Sequence, residues 1–477
     1  MSTSVESYQS YRGLPTLAGL ATIADAAKPG LSVEACVARL KRYHYAFVRL
    51  HEIFTARITA EPIYELKTGY SHHSYLCVEH VAALRQRVGE MREPPLGLEH
   101  VPHEGLQIFF DEILAAPTTA LLLLGVYEKA QSALDAALEC HLRDTNPLVD
   151  APSIRVIRFA RLELADMIEF GKKAIACLVD SSERETASHW LKSLDQCLAA
   201  AGGLHGADAP QGTVPPRNFS TTPYVYDRVP QRDERFQDLW NQGVNAESFV
   251  YNEQFPAKPK TLMMLYKRLR EIDVPEMMAS IIHETKGQPW DYYRDMSRQL
   301  WDEARHAMMG EVGFVALGVD WTQARITFNW SHRLNTECQP FERHAVLYFI
   351  EQGLMTKTGK RYEWEVGVAS GIPLIATLQD YDWADEVLHA QLGRQWYIPQ
   401  IGNWKEALDY GDKCWSRILS NWQAVKDEGL TEHANWWPNV YRQACVGWNV
   451  DPDPQVLGFN ETYANARADL KNVSGSG

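Results

Sequence analysis

No apolar run in this 477-residue chain is long enough to cross a bilayer. Even Leu121–Val126 falls far short of the roughly 20 residues that a spanning helix needs. The first residues, Met1–Tyr11, lack the basic-then-apolar layout of a secretory signal. Eight cysteines are scattered with no Cys-x-x-Cys pair, which argues against a disulfide scaffold, a zinc site or thioredoxin-like chemistry. The expected home is a reducing cytoplasm, with no membrane attachment. Long Lys/Arg runs are missing too, and the formal net charge is −14, so a small molecule is a better expected partner than nucleic acid. Strand-like alternation is scarce, which leaves an all-α chain as the expected class.

What the chain does have is helical periodicity and many large aromatics, 15 Trp and 21 Tyr, which suit broad helix interfaces and pockets. Amphipathic helices are predicted over Ser32–Ile58, Ser71–Arg92, Thr118–Arg143, Ser153–Asp180 and Ser182–Ala201. From Gly202 to Arg232 the texture turns to Gly, Pro, Ser and Thr, as in Pro215-Pro216 and Ser220-Thr221-Thr222-Pro223. The expected organisation is a helical domain over 1–201, a linker and surface segment over 202–259, a second helical domain over 260–428 and an irregular tail over 429–477. Helix pairs of similar length before and after the linker read the first half as a degenerate copy of the second.

The second half carries one pattern twice: Asp302-Glu303-Ala304-Arg305-His306 and Asp385-Glu386-Val387-Leu388-His389. A Glu and a His three residues apart share a helix face. Two such pairs on facing helices, with one Glu from each of two further helices, make the six-ligand site of ferritin-like di-iron and di-manganese proteins. Folding the chain antiparallel about residues 288–290 sets Glu276 level with Glu303. A midpoint near residue 369 sets Glu351 level with Glu386 and His389. The expected metal ligands are therefore Glu276, Glu303, His306, Glu351, Glu386 and His389. Carboxylates with imidazoles suit iron or manganese better than zinc. Asp302 and Asp385 are the natural acceptors for the second N–H of the two histidines. Tyr348, one turn before Glu351, is a candidate for a radical or hydrogen-bonding role, with core packing the plainer reading. His283 and His344 read as packing residues.

Pro289-Trp-Asp-Tyr-Tyr-Arg-Asp295 followed by Trp301-Asp-Glu-Ala-Arg-His-Ala307 resembles the first metal-binding helix pair of bacterial ferritin-like proteins related to tRNA-modifying di-iron hydroxylases. Glu351-Gln-Gly-Leu354, with Asp385-Glu-Val-Leu-His389 and Gly393-Arg-Gln-Trp396, resembles the second pair. The likeness covers about residues 270–400. It implies a ferritin-like four-helix bundle with a buried di-iron centre that activates O2. The first half departs from the pattern. Its nearest counterparts, Ser71-His72-His73 to Glu79-His80 and Glu163-Leu-Ala-Asp166, lack Glu-x-x-His, so a metal-free pseudo-domain is expected there.

The leading functional expectation is a non-haem di-iron oxygenase or oxidase. It would hydroxylate, N-oxygenate or desaturate a small organic substrate, with Glu303 and Glu386 both ligating and catalytic. Two Fe ions, Mn or a mixed Fe/Mn pair would serve as cofactor with O2; an external electron donor and a homo-oligomer stay open. The alternative is a ferroxidase or metal-handling protein, or a metal-stabilised binding protein without turnover.

Overall fold

In the computed structural model, which describes residues 5, 8–92, 97–241, 243–355, 359–419 and 422–463, the regular elements are helical and no strand occurs among the described residues. No helix among them is long and apolar enough to cross a membrane. The chain forms two compact units, residues 1–54 with 73–226, and residues 55–72 with 227–477.

The first unit is built from α1 (Val33–Ala60) and α2 (Tyr64–Glu90), whose other ends belong to the second unit, with α3 (Glu104–Leu114), α4 (Ser132–Asp144), α5 (Ala151–Leu178) and α6 (Ser181–Ala200). Asp180 caps α6 in a reciprocal box with Glu183, which satisfies backbone donors that the first turn leaves open. The helix expected over Thr118–Arg143 is interrupted by a π-helical stretch, Leu124–Gln131, where the Tyr127 ring fills the space beside Gly171 of α5.

The Gly/Pro-rich stretch is not a free linker, and this corrects the expected domain boundaries. Its first part is clamped onto Glu112 of α3. That carboxylate is buried, and it accepts from the backbone N–H groups of Asn218 (2.8 Å), Phe219 (3.0 Å) and Ser220 (2.9 Å), from Ser220 Oγ (2.6 Å) and from Trp190 Nε1 (3.1 Å). Residues after 226 belong to the second unit instead, where Arg232 is buried among carboxylates.

The second unit contains α7 (Ala257–Arg270), α8 (Asp273–Glu284), α9 (Trp290–Ala316), α10 (Asn329–Glu337), α11 (Pro340–Leu354), α12 (Lys360–Ala369), α13 (Pro373–Trp396), α14 (Trp404–Leu419) and α15 (Trp437–Trp448). Helices α8, α9, α13 and α11 meet pairwise in that order, and α11 closes back on α8. α7 lies along α9 and α12 along α13. The approach of α7 to α9 depends on Gly310, where a Cβ would stand 2.7 Å from the Leu265 carbonyl oxygen. The tail expected to be irregular includes α15, and Trp437, Val440 and Tyr441 of that helix join the core that holds Leu265 and Leu269 of α7. Residues 464–477 lie outside the described residues.

Burial works to raise the Glu112 carboxyl, but the five donors outweigh it and hold it below the ordinary carboxylate range. A depressed carboxyl stabilises the fold above its unfolded pKa, and that contribution disappears as pH falls through the folded value. Glu112→Gln should cost about 1–3 kcal/mol at neutral pH. It should also flatten the stability loss of the protein below about pH 4.3, the unperturbed glutamate value. Urea unfolding followed by tryptophan fluorescence at a series of pH values measures both.

Candidate metal centre

Glu303 and His306 of α9 face Glu386 and His389 of α13, because three residues of α-helix return a side chain to the same face. All four are buried. Each imidazole turns Nδ1 into the cluster. His389 Nδ1 lies 3.2 Å from Glu303 and 3.5 Å from Glu386, and His306 Nδ1 lies 3.7 Å from Glu303 and 4.0 Å from Glu386. Glu351 of α11 completes one group, with Glu303, Glu386 and His389. The other group joins Glu271, His306, Asp382 and Glu386. Within each group one donor atom per residue lies within 4.8 Å of every other.

Glu276 has no part in either group. It is fully buried elsewhere, held by Lys67 Nζ at 2.6 Å and Arg232 Nη2 at 2.8 Å. Glu271 takes the position expected of it. Pro275 has no N–H for the carbonyl of residue 271, so the helix is interrupted there. The Glu271 and Ile272 amides instead make short bonds to the carbonyls of Arg268 and Leu269. Glu271 then sits in the joint between α7 and α8, and its midpoint with Glu303 falls at Gly287, whose φ of +78° makes the turn. A five-residue offset resulted from reading the helix as starting at Pro275.

Asp302 and Asp385 do accept from the histidines, but crosswise. His306 Nε2 lies 3.2 Å from Asp385 and His389 Nε2 lies 3.4 Å from Asp302. Arg305 bridges the two aspartates, 2.8 Å from Asp385 and also paired with Asp302. Each helix therefore orients the other's imidazole. Tyr348 packs against Gly393 and, at 5.5 Å between ring centroids, against Tyr397, which puts it in an aromatic core with no ligand among its recorded contacts. His344 packs there too, 5.5 Å from the Tyr397 ring, and burial lowers it to about 4.

Besides Glu271, three residues of the site went unread in the sequence. Asp382 stands one turn before Glu386, so Asp382, Glu386 and His389 share a face at i, i+4 and i+7; that signal was legible. Lys360 and Arg268 gave none. Lys360 Nζ lies 2.8 Å from Glu386 and 3.0 Å from Asp382, while Arg268 lies 2.9 Å from Glu271 and also pairs with Asp382. Both are buried. The Glu271–Asp382 side thus carries two fixed cations. On the other side Glu351 is recorded with a neutral donor, Gln299 Nε2 at 3.2 Å.

Charge shapes each group. Burial works to raise Glu271, but Arg268 and Lys360 overcome it and hold the carboxyl at about 2. Burial likewise opposes ionisation of Glu386, and Lys360 takes it well below the ordinary range. Burial, then Glu386 and Glu303, push Glu351 well above that range. Burial alone would lower His306, yet Asp385, Glu271 and Glu303 raise it to about 10. His389 rises well above its usual value through Asp302, Glu303 and Glu386, against the same burial.

Six buried atoms, Glu271 Oε2, Glu303 Oε1, His306 Nδ1, Glu351 Oε2, Glu386 Oε2 and His389 Nδ1, make no hydrogen bond of good geometry. Close approaches such as His306 Nδ1 to Glu271 at 3.3 Å and His389 Nδ1 to Glu303 at 3.2 Å are among themselves. Buried polar groups are ordinarily hydrogen-bonded, and one such atom from each of six residues in a single cluster is a donor set that a cation could satisfy. A third cluster, in the first unit, makes the contrast. Cys36 Sγ lies 3.5 Å from Asp150 Oδ2 and His141 Nε2 lies 3.3 Å from it, but Asp150 also accepts from Thr145 (2.7 Å) and Arg87 (3.2 Å). There the atoms that face one another are hydrogen-bonded, and the unpartnered His141 Nδ1 is the ring's other nitrogen. Also in the first unit, His80 pairs with Glu163 at 2.8 Å, and no Glu/His group like the second unit's occurs there among the described residues.

Comparison with protein-family models, curated proteins and solved structures finds no match to this chain. The site has to be read from its own chemistry.

The offset between Glu271 and Glu276 separates two roles by experiment. Glu276→Gln should destabilise the protein by about 3–5 kcal/mol, because it strands two buried cations. The folded variant should keep the wild-type metal content. Glu271→Gln should do the reverse, with little loss of stability and a lower metal content. Chemical denaturation and elemental analysis of the same preparations distinguish them.

Proposed function

We propose that this cluster binds two divalent metal ions, iron foremost, and that the protein uses them to oxidise a small organic molecule with O2. The observation that carries the reading is the convergence of six buried carboxylate and imidazole atoms that make no hydrogen bond of good geometry. Hard oxygen donors with two imidazoles match iron and manganese. Glu303, Glu351, Glu386 and His389 would hold one ion; Glu271, His306, Asp382 and Glu386 would hold the other. The helices carrying them then correspond to a ferritin-like four-helix bundle, with α7 and α8 together as the first member. When bound, such a pair supplies reducing equivalents to O2 and directs the oxidation.

The chain's own residues do the rest. Asp302 and Asp385 fix the rotation of the imidazoles, and Arg305 ties the two aspartates together. Lys360 and Arg268 offset part of the carboxylate charge. A cavity of about 230 Å³ reaches Glu271, Glu303, Glu351 and Glu386, so a substrate can lie against the carboxylate side of the cluster. That cavity favours an organic substrate over a ferroxidase or storage role, which needs none. An external reductant would complete the reaction, and the acidic chain makes nucleic acid the poorer substrate.

The test is metal analysis with O2 consumption. Wild-type protein loaded with reduced iron should hold up to two ions per chain and consume O2, and Glu303→Ala should lose both. A wild type that binds two irons yet never outpaces Glu303→Ala, with any reductant or substrate tried, would sink the proposal. The fixed cations add a second expectation: the two positions should fill unequally. Calorimetric titration with Mn2+ should resolve a tight and a weak step. Lys360→Met should tighten the weak one at least tenfold, which is about 1.4 kcal/mol.

A further inference from the structure

The cavity beside the cluster is selective in a way that the metal reading does not require. Five charged residues outside the ligand groups line it, and every one is already paired. Lys267 is bound to Glu363 and lies 3.8 Å from Glu247. Arg270 lies 3.0 Å from Glu247 and also meets Tyr463. Arg268 is bound to Glu271 and Asp382. Asp273 takes Arg232 at 3.2 Å and the Ser331 amide at 3.1 Å. Glu271, Glu303, Glu351 and Glu386 line the cavity as well, so a carboxylate entering metal-free protein would face four acidic groups and no free cation, and burying an unpaired charge is strongly unfavourable.

Apart from the glutamates, Tyr251 and Ser331, the remaining wall is apolar. Met277, Leu347, Ile350 and Leu354 line it, together with Trp330 and Trp415, whose rings meet edge to face at 4.9 Å. Size narrows the class further. A cavity of about 150 Å³ takes benzene, with its six carbons, so the 230 Å³ here suits about nine or ten heavy atoms.

We infer that the cavity is the binding site for an uncharged, mainly apolar molecule of that size, aliphatic or aromatic, and that in metal-free protein it rejects carboxylates of equal length. As a statement about substrate this rests on the oxidase reading; as a statement about binding it does not.

The experiment titrates full-length, metal-free protein with 1-octanol and octanoate, and a parallel sample is treated with Zn2+ to measure metal uptake. Calorimetry follows binding. Octanol should bind the metal-free protein at least tenfold more tightly than octanoate does. Leu347→Trp, which fills the cavity, should abolish octanol binding while circular dichroism stays helical. Leu347→Ala, which cannot overfill it, should retain octanol and improve binding of 1-decanol. Equal or tighter binding of octanoate by the metal-free protein would overturn the inference, as would no binding of either molecule or indifference to both variants. Octanol binding by a protein that takes up no metal would leave the cavity assignment standing and remove the oxidase reading.

Discussion

Packing Glu271, Glu303, Glu351, Asp382 and Glu386 into one buried cluster is the constraint that the second unit is arranged around. Like charges this close in an interior of low polarity cannot all ionise without compensation. The compensation comes from several elements at once. α7 brings Arg268, α12 brings Lys360, and the two imidazoles come from α9 and α13. This accounts for a helix such as α7, buried from Pro259 to Arg270 and still ending in Lys267, Arg268 and Arg270. Its charged end is tolerated in the core only because each cation meets a carboxylate there.

A second buried network lies beside the first and follows the same logic to a different end. Lys67, Arg232, Asp273 and Glu276 neutralise one another without inviting a ligand. The two networks are five residues apart in sequence at Glu271 and Glu276. They differ in what is left over. In one, every charged oxygen meets a donor; in the other, six carboxylate and imidazole atoms crowd one another without a well-formed hydrogen bond. The unsatisfied lone pairs, rather than the number of acidic residues, separate a ligand-binding cluster from a structural one.

The helical class and the two Glu-x-x-His pairs were legible in the sequence because both depend on local periodicity. Glu351 was legible too, since a symmetric fold-back of two helices placed it. Glu276 was chosen over Glu271 because Pro275 looked like a helix start, whereas it marks a break within a longer helical run. The segment after Gly202 read as a linker by composition, and only tertiary contacts with Glu112 and Glu276 show its two parts to be anchored. Lys360 and Arg268 left no local trace, because what fixes them is the charge of residues far away in the chain. The same holds for α15, whose Trp436-Trp437-Pro438 start resembled loop texture until the core it fills was seen.

The crossed hydrogen bonds of Asp302 and Asp385 give the cluster two faces of unlike stiffness. On one, the histidines are clamped through Nε2 and the aspartates are strapped by Arg305, so α9 and α13 act as a single block. The other face is made of glutamates alone: Glu271, Glu303, Glu351 and Glu386 reach the cavity, and neither histidine does. A carboxylate can swing between one-oxygen and two-oxygen contact about its own torsions, while a clamped ring cannot. Any change of radius or charge at the centre would be absorbed on the glutamate side, where a bound molecule would lie, and the back of the site would keep its shape like the fixed jaw of a vice.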